Sequence, residues 1–121
     1  MALTIAEYVG RSGRDLMLAL ASAYTVQSRF VDHANFMSSG FDHTAQLAFS
    51  LNAAAGRLLG LSEQRIGHAM AMAAASDASF AVVRAKPLSQ WKGLASSQSA
   101  LGAMNALFLA RPRSARAATS H

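Results

Sequence analysis

Two positions in the 121-residue chain carry side chains that could bind an anion or move a proton. Lys92 follows Trp91 and precedes Gly93 at the predicted start of the last helix. A lysine at such a place, with free backbone amides beside it, can hold a carboxylate. His43 follows Asp42 just before another predicted helix, where a carboxylate can orient an imidazole for proton transfer. These residues together indicate a site for an anionic ligand.

Each of these positions also has a plain structural explanation. An isolated lysine is usually a solvated surface residue. Asp42 or Thr44 can simply cap the following helix, which would make His43 incidental. His33, expected in a loop, and His68, expected in a helix without an acidic partner, are interpreted as structural or surface residues. Because no histidine pair has the spacing of a metal site, we expect no metal.

The composition restricts the class of protein. Only 14% of the residues are charged against 52% hydrophobic, whereas a typical soluble domain has about 25% charged residues. We therefore expect the helices to be covered on more than one side, by a partner subunit or by further parts of a longer chain. The longest apolar run, residues 69–75, is far shorter than the roughly 20 residues of a membrane span. With no cysteine and no evident signal peptide, we expect a cytoplasmic chain.

The net charge of +5 comes largely from the end of the chain. Three arginines and no acidic residue lie within residues 111–121. The rest of the sequence is nearly neutral and lacks the basic groove with interleaved aromatic residues that single-strand binding requires. We therefore expect no nucleic-acid partner, and we interpret 111–121 as a basic, disordered tail.

Periodicity and capping signals predict an all-α fold, a helical bundle fragment of about five helices. The predicted helices run over residues 2–8, from a capping box at Ser12 and Asp15 to about 30, from about 44 to 60, from a cap at Ser62 to about 75, and from 91 or 92 to 110.

Three local features of these elements can be compared with a structure. Leu16, Leu20 and Tyr24, with Met17 beside them, form one apolar stripe on the second helix. The methionines are interpreted as core filling rather than as part of a cofactor site. Residues 32–40 are expected to form a loop, and residues 80–83, before Pro87, are expected to be extended.

The order of four segments resembles the MmgE/PrpD family, which contains 2-methylcitrate dehydratases and cis-aconitate decarboxylases. The resemblance extends from about residue 2 to residue 110, including the helix start at 12–16. The segments are 40–44 (GFDHT), 53–61 (AAAGRLLGL), 68–73 (HAMAMA) and 88–93 (LSQWKG).

This resemblance implies a lyase that acts on small tricarboxylates without a cofactor or a metal. His43 matches the active-site histidine of the family, and Lys92 matches its active-site lysine. Elimination beside carboxylates needs a group that accepts or donates a proton and cations that stabilise the developing charge. Arg84 is a further candidate carboxylate ligand, although a surface arginine is an equal alternative.

The family members are several times longer, and their helical domain is followed by an α/β domain. We therefore expect residues 1–110 to be part of the family's helical domain, truncated at both ends and inactive alone. The Arg-, Ala-, Pro- and Ser-rich tail has a composition that GC-rich DNA often encodes out of frame. The alternative is a non-catalytic helical module that associates with itself or with a full-length relative through its alanine-rich faces.

Overall fold

The computed structural model describes residues 1–34 and 36–112 and confirms the all-α class. The described residues form five α-helices and three short 3-10 helices. The α-helices are α1 (Ala2–Val9), α2 (Gly13–His33), α3 (Leu47–Leu58), α4 (Glu63–Asp77) and α5 (Trp91–Ala110), and the 3-10 helices are Met37–Ser39, His43–Gln46 and Ala81–Arg84. No helix of these residues is long and apolar enough to cross a bilayer.

Capping signals mark four of the ten α-helix ends in the described part of the chain. At Ser12 the predicted capping box is present: its hydroxyl accepts from the Asp15 amide, and the Asp15 carboxylate accepts from the Ser12 amide. The Ser62 hydroxyl caps α4 by accepting a hydrogen bond from the Arg65 amide. The chain leaves α1 at Gly10 and α3 at Gly60, both with positive φ, where glycine is favoured.

Alanine forms most of the core. α3 packs against all four other α-helices. Among the hydrophobic residues found buried within 1–34 and 36–112, only Ile5, Leu58 and Leu107 are larger than alanine. Gly56 of α3 shows how closely the helices approach. A Cβ atom added there would lie 2.5 Å from Cγ1 of Ile66 on α4, well inside van der Waals contact.

The predicted apolar stripe of α2 does not face this core, with the exception of Leu16. Leu16 and Ala23 pack on the core around the buried Ala19, whereas Met17 and Tyr24 are mostly exposed. Small side chains permit close packing against α3, so Ala19 and Ala23 face the core in place of Leu20 and Tyr24. The interpretation of Met17 as core filling is therefore wrong, as it is for the exposed Met37 on the first 3-10 helix.

The irregular segments differ most from the expectations. α2 continues to His33, so this residue ends a helix instead of lying in a loop. Residues 81–84 form a 3-10 helix rather than an extended segment. Of residues 80–83, only Phe80 is extended, and it forms an isolated antiparallel bridge to Phe41.

Candidate functional site

Two distant segments of backbone meet at this bridge and form the base of the site. The Asp42 amide donates to the Ser79 carbonyl oxygen at 2.8 Å, and the Ala81 amide donates to the Gly40 carbonyl oxygen at 2.8 Å. The rings of Phe41 and Phe80 stack beside them, with centroids 5.7 Å apart. The segment before α3 is thereby fixed to the segment after α4.

A row of phenylalanines joins this base to the rest of the bundle. Phe36 lies edge-on to Phe41 at 6.3 Å, and it also contacts Phe30 of α2 and Phe49 of α3. Phe30 and Phe49 stack with centroids 4.3 Å apart. Five of the six phenylalanines of the chain thus position one short stretch of backbone, and aromatic pairs of this kind each add about 1 kcal/mol beyond their buried area.

Asp42, at the end of this stretch, is the centre of a polar cluster. Its side chain is only 1% exposed. Oδ2 accepts a hydrogen bond from the buried Thr44 hydroxyl at 2.5 Å. Oδ1 accepts from Nε of Arg84 and lies 3.2 Å from Nδ1 of His43. We call Asp42, Thr44, Arg84 and His43 the Asp42 cluster.

The cluster keeps Asp42 ionised. Burial raises the pKa of its carboxyl, but the hydrogen bonds from Arg84 and Thr44 and the charges of His43 and Arg84 outweigh burial and lower the pKa to about 2. The same contact raises the pKa of Arg84. A carboxylate that is ionised at neutral pH therefore lies 3.2 Å from Nδ1 of the imidazole.

The side chain of His43 is 56% exposed to solvent. The carboxylate beside Nδ1 favours a proton on that nitrogen, which leaves Nε2 of a neutral ring as a proton acceptor. The sequence left open whether Asp42 caps the following helix or orients His43. The side chain of Asp42 makes no capping bond and instead contacts the imidazole.

Arg84 secures Asp42 through Nε alone. A guanidinium has five N–H donors, and the described residues accept no hydrogen bond from the other four of Arg84. The side chain is 26% exposed. Its terminal nitrogens can therefore meet a second carboxylate while Nε remains bonded to the first.

Lys92 lies in the first turn of α5, which packs against the 3-10 helices that carry His43 and Arg84. Its ammonium is exposed and makes no hydrogen bond or ion pair with any described residue. The expectation of free amides beside it is wrong for Lys92 and Gly93, whose N–H groups donate to the carbonyls of Ser89 and Gln90.

A groove of about 260 Å³ adjoins these residues between the end of α4, the last 3-10 helix and α5. It is lined by Ser79, Phe80, Val83 and Trp91, among others, but not by His43, Arg84 or Lys92. Trp91 and Val83 are the chain neighbours of Lys92 and Arg84, so the groove connects their segments. No group of three or more histidine, aspartate or glutamate residues within the described ranges could hold a metal ion.

Sequence reasoning did not identify Thr44 and Ser79 as parts of the site. The sequence pattern assigned Thr44 only to a helix cap and to the 40–44 segment, and nothing in it indicated Ser79 as a site residue. Asp42 and Thr44 are separated by one residue, which is close enough for the Thr44 hydroxyl to reach the Asp42 carboxylate. No local pattern indicates Ser79, because its carbonyl oxygen accepts from the Asp42 amide and the two residues are separated in sequence by α3 and α4.

Comparison with known protein families gives a match that covers nearly the whole chain. The sequence profile of the MmgE/PrpD N-terminal domain matches residues 1–113. No curated protein and no solved structure matches the chain significantly.

Proposed function

The chain belongs to the MmgE/PrpD family, and from this premise we propose that it carries part of a lyase site for small tricarboxylates such as 2-methylcitrate or cis-aconitate. Membership of this family relates the chain to dehydratases. The observation that carries the proposal to individual residues is the Asp42 cluster, in which one buried carboxylate contacts both His43 and Arg84.

Each candidate residue has a distinct part in such an elimination. His43 removes a proton from a carbon next to a carboxylate, with Nε2 as the acceptor. In 2-methylcitrate, the electron pair of that C–H bond forms the new double bond as hydroxide leaves the adjacent carbon. The hydroxide takes up a proton from solvent and departs as water, and His43 returns its own proton to solvent. Arg84 and Lys92 bind carboxylates of the substrate and stabilise the negative charge that develops.

The described residues support binding better than turnover. His43 is more than half exposed, Lys92 is exposed, and neither lines the neighbouring groove. Electrostatic stabilisation of a developing charge is strong only where water is excluded. We therefore propose that residues 1–121 bind a tricarboxylate weakly and do not turn it over unless further protein covers the site.

Binding is measured by NMR titration of the chain with cis-aconitate and with 2-methylcitrate. Lys92→Gln should weaken binding about tenfold, since charged hydrogen-bond partners contribute roughly 1.5–3 kcal/mol. Lys86→Gln is the matched control because Lys86 is the other lysine of the chain and is also exposed. Equal affinities for both variants and the unmodified chain would contradict the role of Lys92.

Turnover is measured by following both tricarboxylates in the presence of the isolated chain. We expect no product above the uncatalysed rate. Product formation that His43→Ala abolishes would overturn the proposal that the site needs a cover, while confirming the role of His43.

A further inference from the structure

Exposed apolar side chains are concentrated in the segment that carries Arg84 and Lys92. Within residues 80–94, five large hydrophobic side chains are each between 42% and 72% exposed. They are Phe80, Val82, Leu88, Trp91 and Leu94. Apolar surface that lies open to water next to polar groups is typical of a binding site.

The groove between the end of α4, the last 3-10 helix and α5 gives this segment a concave surface. Phe80, Val83 and Trp91 are among its lining residues, and the described residues that line it carry no charge. Phe80 stacks on Phe41 and is nevertheless 62% exposed. The volume of about 260 Å³ has space for several water molecules at about 30 Å³ each. A methyl group would therefore fill only a small part of the groove.

The two candidate carboxylate ligands lie next to this groove in the chain. Arg84 directly follows Val83 in the last 3-10 helix. Lys92 directly follows Trp91 in the first turn of α5. The terminal nitrogens of Arg84 donate to no described residue, and the Lys92 ammonium forms no ion pair with one. Cations beside an uncharged apolar groove suit a ligand that has carboxylates at one end and an apolar chain at the other.

We propose that the site binds tricarboxylates with a linear alkyl substituent of about four to six carbons, whose volume the groove accommodates. The inference rests on the proposed function, because Arg84 and Lys92 bind the carboxylates as described there. It differs in the substituent, which is a methyl group in 2-methylcitrate and is absent from cis-aconitate. The longer chain lies in the groove and covers Phe80 and Trp91, so that apolar surface of both ligand and protein is removed from water.

The length of the alkyl chain is the variable to test. NMR titration of the 121-residue chain gives dissociation constants for citrate, 2-methylcitrate, 2-butylcitrate and 2-hexylcitrate. Full burial of one methylene strengthens binding about fourfold, and burial of about half of it in a groove strengthens binding about twofold. 2-Hexylcitrate should therefore bind about 30-fold more tightly than 2-methylcitrate. Fluorescence reports the place of binding, because Trp91 is the only tryptophan in the sequence, and its emission should shift to shorter wavelength.

Val83→Ser and Val82→Ser are matched variants that test the groove itself. Both valines lie on the last 3-10 helix, but of the two only Val83 lines the groove. Val83→Ser should reduce the preference for 2-hexylcitrate over 2-methylcitrate to about tenfold or less, because it removes apolar contact area, and should leave the affinity for citrate unchanged. Val82→Ser should change neither quantity. Circular dichroism establishes that each variant folds.

The negative outcomes separate this inference from the proposed function. If none of the tricarboxylates binds, both are refuted. If citrate and 2-methylcitrate bind and Lys92→Gln weakens them, but 2-hexylcitrate binds no more tightly than 2-methylcitrate, only the inference about the alkyl chain is refuted. A gain in affinity with chain length that Val83→Ser leaves intact would place the alkyl chain outside the groove and would also overturn the inference.

Discussion

Replacing Asp42 by asparagine isolates the charge of the Asp42 cluster, since the two side chains have nearly the same shape. The carboxyl pKa falls from 3.8 to about 2 on folding, and each unit corresponds to about 1.4 kcal/mol. The upper limit of the charge contribution is thus about 2.5 kcal/mol. Because Arg84 is one-quarter exposed, solvent screening reduces it. We expect Asp42→Asn to lower the free energy of unfolding at pH 7 by about 1–2 kcal/mol.

The pH dependence of this difference is the sharper measurement. A carboxyl whose pKa is lower in the folded state than in the unfolded state stabilises the fold above the unfolded pKa, and the stabilisation is lost as the pH falls through the folded pKa. The free-energy difference between the unmodified chain and Asp42→Asn should therefore shrink between about pH 4 and pH 2.

Urea unfolding followed by circular dichroism at pH 7, 5, 4, 3 and 2.5 gives both quantities. Glu7→Gln is the matched control, because Glu7 is an exposed acid on α1 and forms no ion pair with a described residue. A difference for Asp42→Asn that stays constant from pH 5 to pH 2.5, or that equals the difference for Glu7→Gln, would refute the argument that the cluster stabilises an ionised Asp42.

Two further predictions concern the bundle, and urea unfolding measures both. Gly56→Ala should destabilise the chain by about 1 kcal/mol, because a clash with Ile66 of about 1–3 kcal/mol exceeds the gain in helix propensity. Gly67→Ala, where an added Cβ meets nothing within 4 Å, should stabilise it by about 0.5–1 kcal/mol, and equal effects at both sites would contradict the close approach of α3 and α4. Ser12→Ala should cost about 1 kcal/mol through loss of the capping box, whereas an unchanged midpoint would show that α2 does not depend on this cap.

The sequence was sufficient to predict most helix ends, because these depend on interactions within a few residues. The hydroxyl of Ser12 and the φ of Gly60 act over one turn, so their signals are readable locally. The start of α5, predicted at residue 91 or 92, lies at Trp91, although no side chain caps it.

Features set by tertiary packing could not be read in this way. The orientation of α2 depends on which of its faces permits the closer approach to α3, and the larger side chains of Met17 and Tyr24 misleadingly suggested the core side. The contact of Arg84 with Asp42 spans 42 residues of sequence, and the 3-10 helix that carries Arg84 is fixed by the bridge at Phe80. The sequence therefore named His43, Arg84 and Lys92 but not the geometry that relates them.

The bridge between Phe41 and Phe80 also has a consequence for the order in which the chain folds. It closes a loop that contains all of α3 and α4. Closing such a loop costs entropy that only contacts formed elsewhere can offset. The surroundings of His43 should therefore be among the last parts of the molecule to assemble and among the first to open, so that slow hydrogen exchange at the Asp42 amide would report a completely folded chain.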